Sequence, residues 1–412
     1  MELREKILGG DRKVGVIGQG FIGFSTAAYF AHAGCKVVGY DINEEIVKHI
    51  KYHAIPVTGL EKWLPFHIAW DNIKSTTNFE DLKDCNPIFI AVPTEKGAEP
   101  WFEPLQDVIE RLEQFKEKKL IIIESTLAPG TIEKIVLPKT KHDIVCASRR
   151  DWFFEDNSKN LKNLPRIVGG TTMESTEQAI DVLSIICDHL LPCHFKEAEL
   201  IKATENTLRA VDICVANQLM LAYPHIDIRK VLKLAGTKWN VEVYIPSWGV
   251  GGYCIPVAPK YLVMGSENPD MLSILKTALE DSIEYHTVWI LMNILEKFKP
   301  TSIAILGATY AGNLKVSVLS PTFKIVNYLD EVGIRYAVHD PLYTCEEMTD
   351  FNFPVVDYPD GLNDFDMVLI VADHDLYKHT RPDFKGIVVD QTGVWQKWKK
   401  QFSHYHLLGE SL

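Results

Sequence analysis

At 412 residues the chain exceeds one ordinary domain, so two or three are expected. Its 46% hydrophobic and 24% charged residues describe a globular protein, neither low-complexity nor disorder-prone. A net charge of −12 argues against a general binder of nucleic acid or of anionic membrane surfaces, while leaving room for a local cationic pocket.

The N-terminus, "MELREKILGGDRK", is charged and lacks an apolar core, so no signal peptide is read there. No apolar run approaches the length of a membrane span. The eight cysteines are scattered, and the one close pair, Cys187 and Cys193, fits no zinc spacing. This is the pattern of a reduced compartment, and a cytoplasmic location is expected.

In chain order, "KVGVIGQG" reads as a strand entering a glycine turn, "FSTAAYFAHAG" as a helix and "KVVGYD" as a second strand. "PIFIAVPT", "LIIIEST" and "RIVGG" are further strands separated by helical spacers. Such a βαβ series predicts a mostly parallel sheet. From Ala198 the pattern turns helical, through "AELIKATENTLRAVDICVANQLMLAY" and again from about Ser273 to Lys299. After "KFKPTS" new strands appear: "IAILGATY", "RYAVHDP", "MVLIVAD" and "IVVDQTG". The expected division is 1–197, 198–299 and 300–412, with the two α/β ends as a distant structural pair.

Gly18-Gln19-Gly20-Phe21-Ile22-Gly23 matches G-x-G-x-x-G between a strand and a helix, the context that a dinucleotide fingerprint needs. Gly18 permits the turn, Gly20 lets a pyrophosphate reach backbone N–H groups, and Gly23 lets helix and strand close up. Asp41 ends the next strand, about 20 residues on, where a carboxylate accepts ribose hydroxyls. No arginine follows in "YDINEE", so NAD is expected over NADP.

Cys254 lies in "GVGGYCIP". A nucleophilic thiol needs partners that favour thiolate or stabilise what it attacks. Lys202 and Asn206, four apart on a predicted helix, share one face and suit an oxyanion. His374, Asp375 and His379 cluster in "ADHDLYKHTRPDF", but no zinc spacing fits and the segment reads as an exposed loop; no metal is expected.

With these motifs in place, the chain resembles the NAD-dependent nucleotide-sugar 6-dehydrogenases, the group that acts on UDP-glucose, UDP-N-acetylglucosamine and UDP-N-acetylmannosamine. The resemblance runs through "AVPT" (Ala91–Thr94), "ESTLAPGT" (Glu124–Thr131), "PRIVGG", "ELIKATENTLRA" (Glu199–Ala210), "GVGGYCIP" and Ser320-Pro321. It implies an N-terminal Rossmann-like domain, a central helical section that pairs two subunits, and a C-terminal Rossmann-like domain for the nucleotide. It implies two successive oxidations of a sugar C6 alcohol to a carboxylate, through a thioester on Cys254. Lys202 and Asn206 then stabilise the oxyanion, Thr126 lies near the catalytic water, and Pro93, Thr94, Ser125 and Thr126 border the cofactor. Gly249, Gly251, Gly252 and Tyr253 border the sugar diphosphate. The expected substrate is a nucleotide sugar, UDP-linked, and the expected assembly a homodimer.

The chain departs from the family at several places. Ala258 stands where an aspartate is usual, and Arg150 where a glutamate is usual, with Asp151 beside it as the nearest replacement. Tyr310-Ala311 replaces Tyr-Lys, and Val318 replaces an arginine. Two other outcomes are therefore open: an enzyme that stops early or passes the thioester to an amine, and a nucleotide-sugar-binding protein without turnover.

Overall fold

The computed structural model describes residues 2–151 and 159–412. They form two compact units: residues 1–205 with 264–267, and residues 206–263 with 268–412. Among the described residues no helix is long and apolar enough to cross a membrane.

The first unit is built on an eight-stranded sheet. Its strands are β1 (Lys13–Ile17), β2 (Val37–Tyr40), β3 (Ile73–Thr76), β4 (Cys85–Ile90), β7 (Leu120–Ile123), β8 (Asp143–Cys146), β9 (Arg166–Gly170) and β10 (Leu190–His194). A short antiparallel pair, β5 (Glu95–Lys96) and β6 (Glu99–Pro100), lies outside it. The order is β10-β9-β8-β7-β4-β1-β2-β3. From β3 to β8 every pairing is parallel, and β9 with β10 runs against the rest. Helices α1 (Glu2–Leu8), α2 (Phe21–His32), α3 (Glu44–Lys51), α4 (Glu103–Leu112) and α5 (Met173–Leu183) accompany the sheet. The β strands bury near-continuous apolar runs such as Leu120–Ile123, as a sheet covered on both faces requires. The order reverses at β1, which makes the crevice beyond β1 and β4 the switch point where ligands bind in such sheets.

Helix α6 (Phe195–Ala222) has 28 residues, a length of about 42 Å. The boundary between the units falls within it, after Glu205. Four helices follow: α7 (Ile228–Ala235), α8 (Ala258–Gly265), α9 (Ser273–Leu279) and α10 (His286–Phe298). The helical stretch expected from Ser273 to Lys299 is not regular, because a π-helical turn at Glu280–Tyr285 separates α9 from α10.

The second unit carries a five-stranded, wholly parallel sheet: β11 (Ser302–Leu306), β12 (Arg335–His339), β13 (Met367–Ile370), β14 (Ile387–Asp390) and β15 (His404–Leu407), in the order β12-β11-β13-β14-β15. Its helices are α11 (Pro321–Val332), α12 (Cys345–Asp350) and α13 (Asp375–His379). Alternation along β11 serves two cores: Ile303 and Ile305 pack on one face, Ala304 and Leu306 on the other. This sheet also reverses at its first strand, so the two α/β ends share one plan. The segment around His374 is not the exposed loop expected from the sequence. His374 is wholly buried, held by Thr309 at 2.9 Å and Asp340 at 3.1 Å, while Asp375 and His379 are exposed on α13.

Two histidines of this unit are kept neutral. Burial lowers His339 and His406 from the ordinary 6.5 to about 4. Between those values the unfolded chain takes up protons that the folded unit does not. Their stabilising contribution is therefore complete above pH 6.5 and is lost as pH falls toward 4. Thermal melts of the wild type should show the midpoint dropping across this window, and His406→Gln should flatten that slope.

Candidate functional site

Strand β1 ends in a turn that no side chain fits. A Cβ on Gly18, whose φ is +85°, would meet the carbonyl oxygen of Ala91, at the end of β4, at 2.4 Å. A Cβ on Gly23 would meet Gly18 O at 1.7 Å, so the helix packs directly on the turn. Gly20 differs: nothing lies within 4 Å of its missing Cβ, and as N-cap of α2 it supplies no side-chain hydrogen bond. Open space thus lies at the start of α2, where a helix N-terminus suits a pyrophosphate. Asp41, nearly buried, accepts from Gln19 N at 2.6 Å and Asn43 N at 2.9 Å, which fixes its carboxylate at the end of β2.

The loops after β4 and β7 are laced together beside this turn. Thr94 Oγ1 donates to Thr126 O at 2.7 Å, Ser125 Oγ to Val92 O at 2.7 Å, and Ser148 Oγ to Ser125 O at 3.2 Å. Pro93 remains exposed at the rim. Glu199 on α6 ties down the far end of this segment, accepting from Gly130 N at 2.8 Å and Ile132 N at 2.7 Å. Burial pushes its carboxyl up to about 7 despite those two bonds. Glu199 opens the motif Glu199–Ala210, but its clamp on Gly130 and Ile132 leaves no sign in the sequence.

A second missed feature lies behind the cofactor turn. Glu124 pairs with Arg166 and accepts from Thr26 Oγ1 at 2.7 Å; Arg149 donates to the same Thr26 oxygen at 2.6 Å. Arg149 also grips Asp151 with two nitrogens, at 2.7 and 2.6 Å. Burial raises the Asp151 carboxyl, but the Arg149 guanidinium outweighs it and holds the group below the ordinary carboxylate range. Two arginines and two carboxylates thus make a buried, neutral network. Asp151 has both oxygens committed, so it does not fit the vacancy left at position 150. Arg150 instead pairs with Glu205 on α6 at 2.6 Å and donates to Pro165 O at 2.7 Å. Ser148, Arg150, Ile167, Ala198, Ile201, Lys202 and Glu205 line one small cavity. A carboxylate does reach this pocket, from the helix rather than from the segment after β8.

Lys202 and Asn206 lie one turn apart on α6, as expected. The Asn206 amide nitrogen is buried and has no hydrogen-bond partner among the described residues. Such a donor costs stability unless something else accepts from it.

The segment carrying Cys254 is pinned within the second unit. Ser247 N donates to Asn217 Oδ1 on α6 at 2.8 Å, and Trp248, fully buried, donates from its backbone N to Gln391 Oε1 at 2.9 Å. Thr287 Oγ1 donates to Trp248 O at 2.6 Å. Gly249 and Gly252 have positive φ, and Gly252 N donates to Val318 O at 2.8 Å. The glycines make room for Tyr310: a Cβ on Gly251 would meet its Cβ at 2.5 Å, and one on Gly252 its Cζ at 2.8 Å. Burial pushes the Tyr310 hydroxyl up to about 12, and the charge of nearby Cys254 adds to this. Cys254 and Tyr253 themselves are exposed. Ala258 is buried at the start of α8, its N–H bonded to Cys254 O at 3.1 Å, so the position that usually bears an acid holds a packed methyl one turn from the thiol.

Residues 12–186, 196–281 and 304–397 match, in turn, the NAD binding domain, the central domain and the UDP binding domain of the UDP-glucose/GDP-mannose dehydrogenase family. A UDP-N-acetyl-D-mannosamine dehydrogenase of Methanocaldococcus jannaschii is 30% identical over 425 residues, covering 97% of each chain. One from Campylobacter jejuni is 32% identical over 343 residues, covering 76% of this chain and 82% of that one. Among solved structures, a UDP-D-ManNAc dehydrogenase from Pyrococcus horikoshii has a TM-score of 0.81 at 25% identity, over 97% of this chain and 99% of that one. A UDP-glucose dehydrogenase from Pyrobaculum islandicum shares the fold, with a TM-score of 0.83 at 20% identity over 97% of this chain and 98% of that one.

The buried charge network makes a stability prediction. Arg149→Met leaves Asp151 buried without its counter-charge, a loss of about 3–5 kcal/mol. Arg149→Met combined with Asp151→Leu should recover most of it. Urea denaturation of the three proteins measures both steps.

Proposed function

The chain belongs to the UDP-glucose/GDP-mannose dehydrogenase family, and from that premise we propose that it oxidises the C6 alcohol of a UDP-linked sugar to a uronate through Cys254. It is an NAD-dependent nucleotide-sugar dehydrogenase. The relatives' names favour an N-acetylhexosamine, and UDP-N-acetyl-D-mannosamine is the substrate we infer. The observation that carries the covalent route is the exposed thiol of Cys254 on a segment pinned by Trp248 and Tyr310.

Two molecules of NAD, bound in turn, would supply the acceptors for the two hydrides. The C6 alcohol loses a hydride and a proton and becomes an aldehyde. The Cys254 sulfur adds to the aldehyde carbon, and the proton of the thiol ends on the new hydroxyl. Asn206, with its unpartnered amide N–H, and Lys202 stabilise the oxyanion that precedes it. Loss of a second hydride and of that hydroxyl proton leaves a thioester on Cys254. Water then cleaves the acyl–sulfur bond, releasing the carboxylate and returning the thiol. Thr126 borders the water. Glu205 is a better source of the assisting carboxylate than Asp151, whose oxygens Arg149 holds. Gly249, Gly251, Gly252 and Tyr253 border the sugar diphosphate, and Gly18, Gly20, Phe21, Ile22, Gly23, Asp41, Pro93, Thr94, Ser125 and Thr126 the cofactor. The full-length similarity to dehydrogenases gives no support to a protein that binds without turnover, or to early arrest.

Residues 1–197, 198–299 and 300–412 serve as cofactor, pairing and nucleotide sections, in the cytoplasm. Leu200, Leu208 and Val215 are exposed about two turns apart along α6, Tyr223 is exposed just past its end, and Trp289 and Met292 are exposed on α10. A soluble chain hides such a stripe against another surface, and a second copy related by a two-fold axis is the partner we infer.

With UDP-N-acetyl-D-mannosamine, two NADH should form per sugar oxidised, with a uronate as product by mass. One NADH per sugar, or an amide, would correct the proposal. Cys254→Ala should abolish product, and Asn206→Ala should lower kcat by about 10²–10³-fold. Glu205→Gln should let an acyl-enzyme accumulate on intact mass, absent in Cys254→Ala. Light scattering at micromolar concentration should give twice the chain mass; Leu208→Glu with Val215→Glu should halve it.

A further inference from the structure

We propose that Cys214, Asp281 and His286 form a divalent-metal site within the second unit, and that its ion is zinc. The thiol sulfur, a carboxylate oxygen and a ring nitrogen of these residues all lie within 4.8 Å of one another. In a tetrahedral zinc site, bonds of about 2.0–2.3 Å put neighbouring ligand atoms about 3.6 Å apart. Closing the present triangle needs shifts of about 1 Å, within the reach of side-chain rotations.

The second observation is His286 itself. It is wholly buried, and neither ring nitrogen has a hydrogen-bond partner among the described residues. Leaving an imidazole so costs free energy, and a buried polar group without a partner calls for a reason. A metal bond to one of the two nitrogens supplies one.

The backbone is shaped for the same purpose. Asp281 and His286 are five apart, which in a regular α-helix places side chains about 140° apart around the axis. Here the turn between them is π-helical, and the His286 N–H donates to the Asp281 carbonyl, five residues back. This wider turn brings the two side chains to one side, facing Cys214 on α6. Such π turns are frequent at functional sites. Gln218, one turn after Cys214 on α6, donates from its amide to Asp281, and so orients the carboxylate from behind.

Charge and ligand chemistry select the ion. A thiolate, a carboxylate and a neutral imidazole around a divalent cation sum to zero charge, which suits a buried place. Mixed sulfur, nitrogen and oxygen ligands favour zinc over magnesium or calcium, which take oxygen alone. On binding, the Cys214 thiol releases its proton to solvent, and no electron changes hands. Three protein ligands leave the fourth position to water. The consequence is a staple between α6 and the start of α10, two segments that the sequence separates widely.

Cobalt(II) is a spectroscopic stand-in for the test. Full-length protein freed of metal with a chelator and then given Co²⁺ should show a near-ultraviolet thiolate-to-cobalt band, lost on adding one equivalent of Zn²⁺. Cys214→Ser should remove the band, and His286→Gln should weaken cobalt binding at least tenfold. Zn²⁺ should raise the melting temperature of the wild type but not of His286→Gln. The band should persist in Cys254→Ala and in Cys345→Ala, each of which removes one of the two exposed thiols. No band in the wild type, or a band that survives Cys214→Ser or vanishes with either exposed cysteine, overturns the assignment even if the Cys214 variant folds poorly.

Discussion

The carbonyl oxygen of Ala91 lies 2.4 Å from where a side chain on Gly18 would begin. The approach of β4 to the turn after β1 therefore requires glycine, and the rest of the first unit is arranged around it. It lets α2 start at once, so its first N–H groups point into the crevice. It also lets Asp41 reach across from β2 to hold Gln19 N. The second unit repeats the arrangement with other residues. Gly307, with φ +113°, would strike Ala372 at 2.6 Å if it had a Cβ, and Asp340 accepts from Ala308 N and Thr309 N at 2.9 and 3.0 Å. One steric solution, a glycine under a neighbouring strand end and a carboxylate clamp from the next, thus underlies both nucleotide-binding folds.

The charges near the cofactor turn show how a departure in sequence is absorbed. An arginine at position 150 would leave a cation facing Lys202, but Glu205 meets it. Asp151, adjacent in the chain, turns the other way and serves Arg149. Neighbours in sequence so end in different networks, one buried and structural, the other lining a cavity. Counting acids by sequence distance from a motif cannot separate these two fates, because the separation depends on which distant partner each side chain meets in the fold.

Most of the fold was legible because parallel strands bury continuous apolar runs and glycine turns punctuate them. What escaped had a physical reason. Strand β10, "LLPCH", is largely exposed and contains Pro192, so it carries no apolar run. Strand β15, "HYHL", opens on an exposed histidine and buries another, so it too lacks an apolar run. The π turn between α9 and α10 keeps helical composition, and a single wider turn leaves no trace in a period of 3.6. At the site, the fingerprint glycines, Asp41 and the Lys202–Asn206 pair were readable from spacing. Tyr310, Glu199 and the Arg149–Asp151 pair were not, since each acts on residues far away in the chain. The two glycines before Tyr253 were the available sign that something bulky presses on that loop.

The depth at which each sulfur sits also decides how the protein ages. Burial raises the thiols of Cys35, Cys85, Cys146, Cys187 and Cys193, so little thiolate forms there and a peroxide finds little to attack. Cys254 and Cys345 stand in solvent instead. Oxidative wear should therefore strike Cys254 early, and activity should fade while the folded mass stays intact, the damage being a sulfenic or sulfinic acid on one side chain rather than an unravelled core.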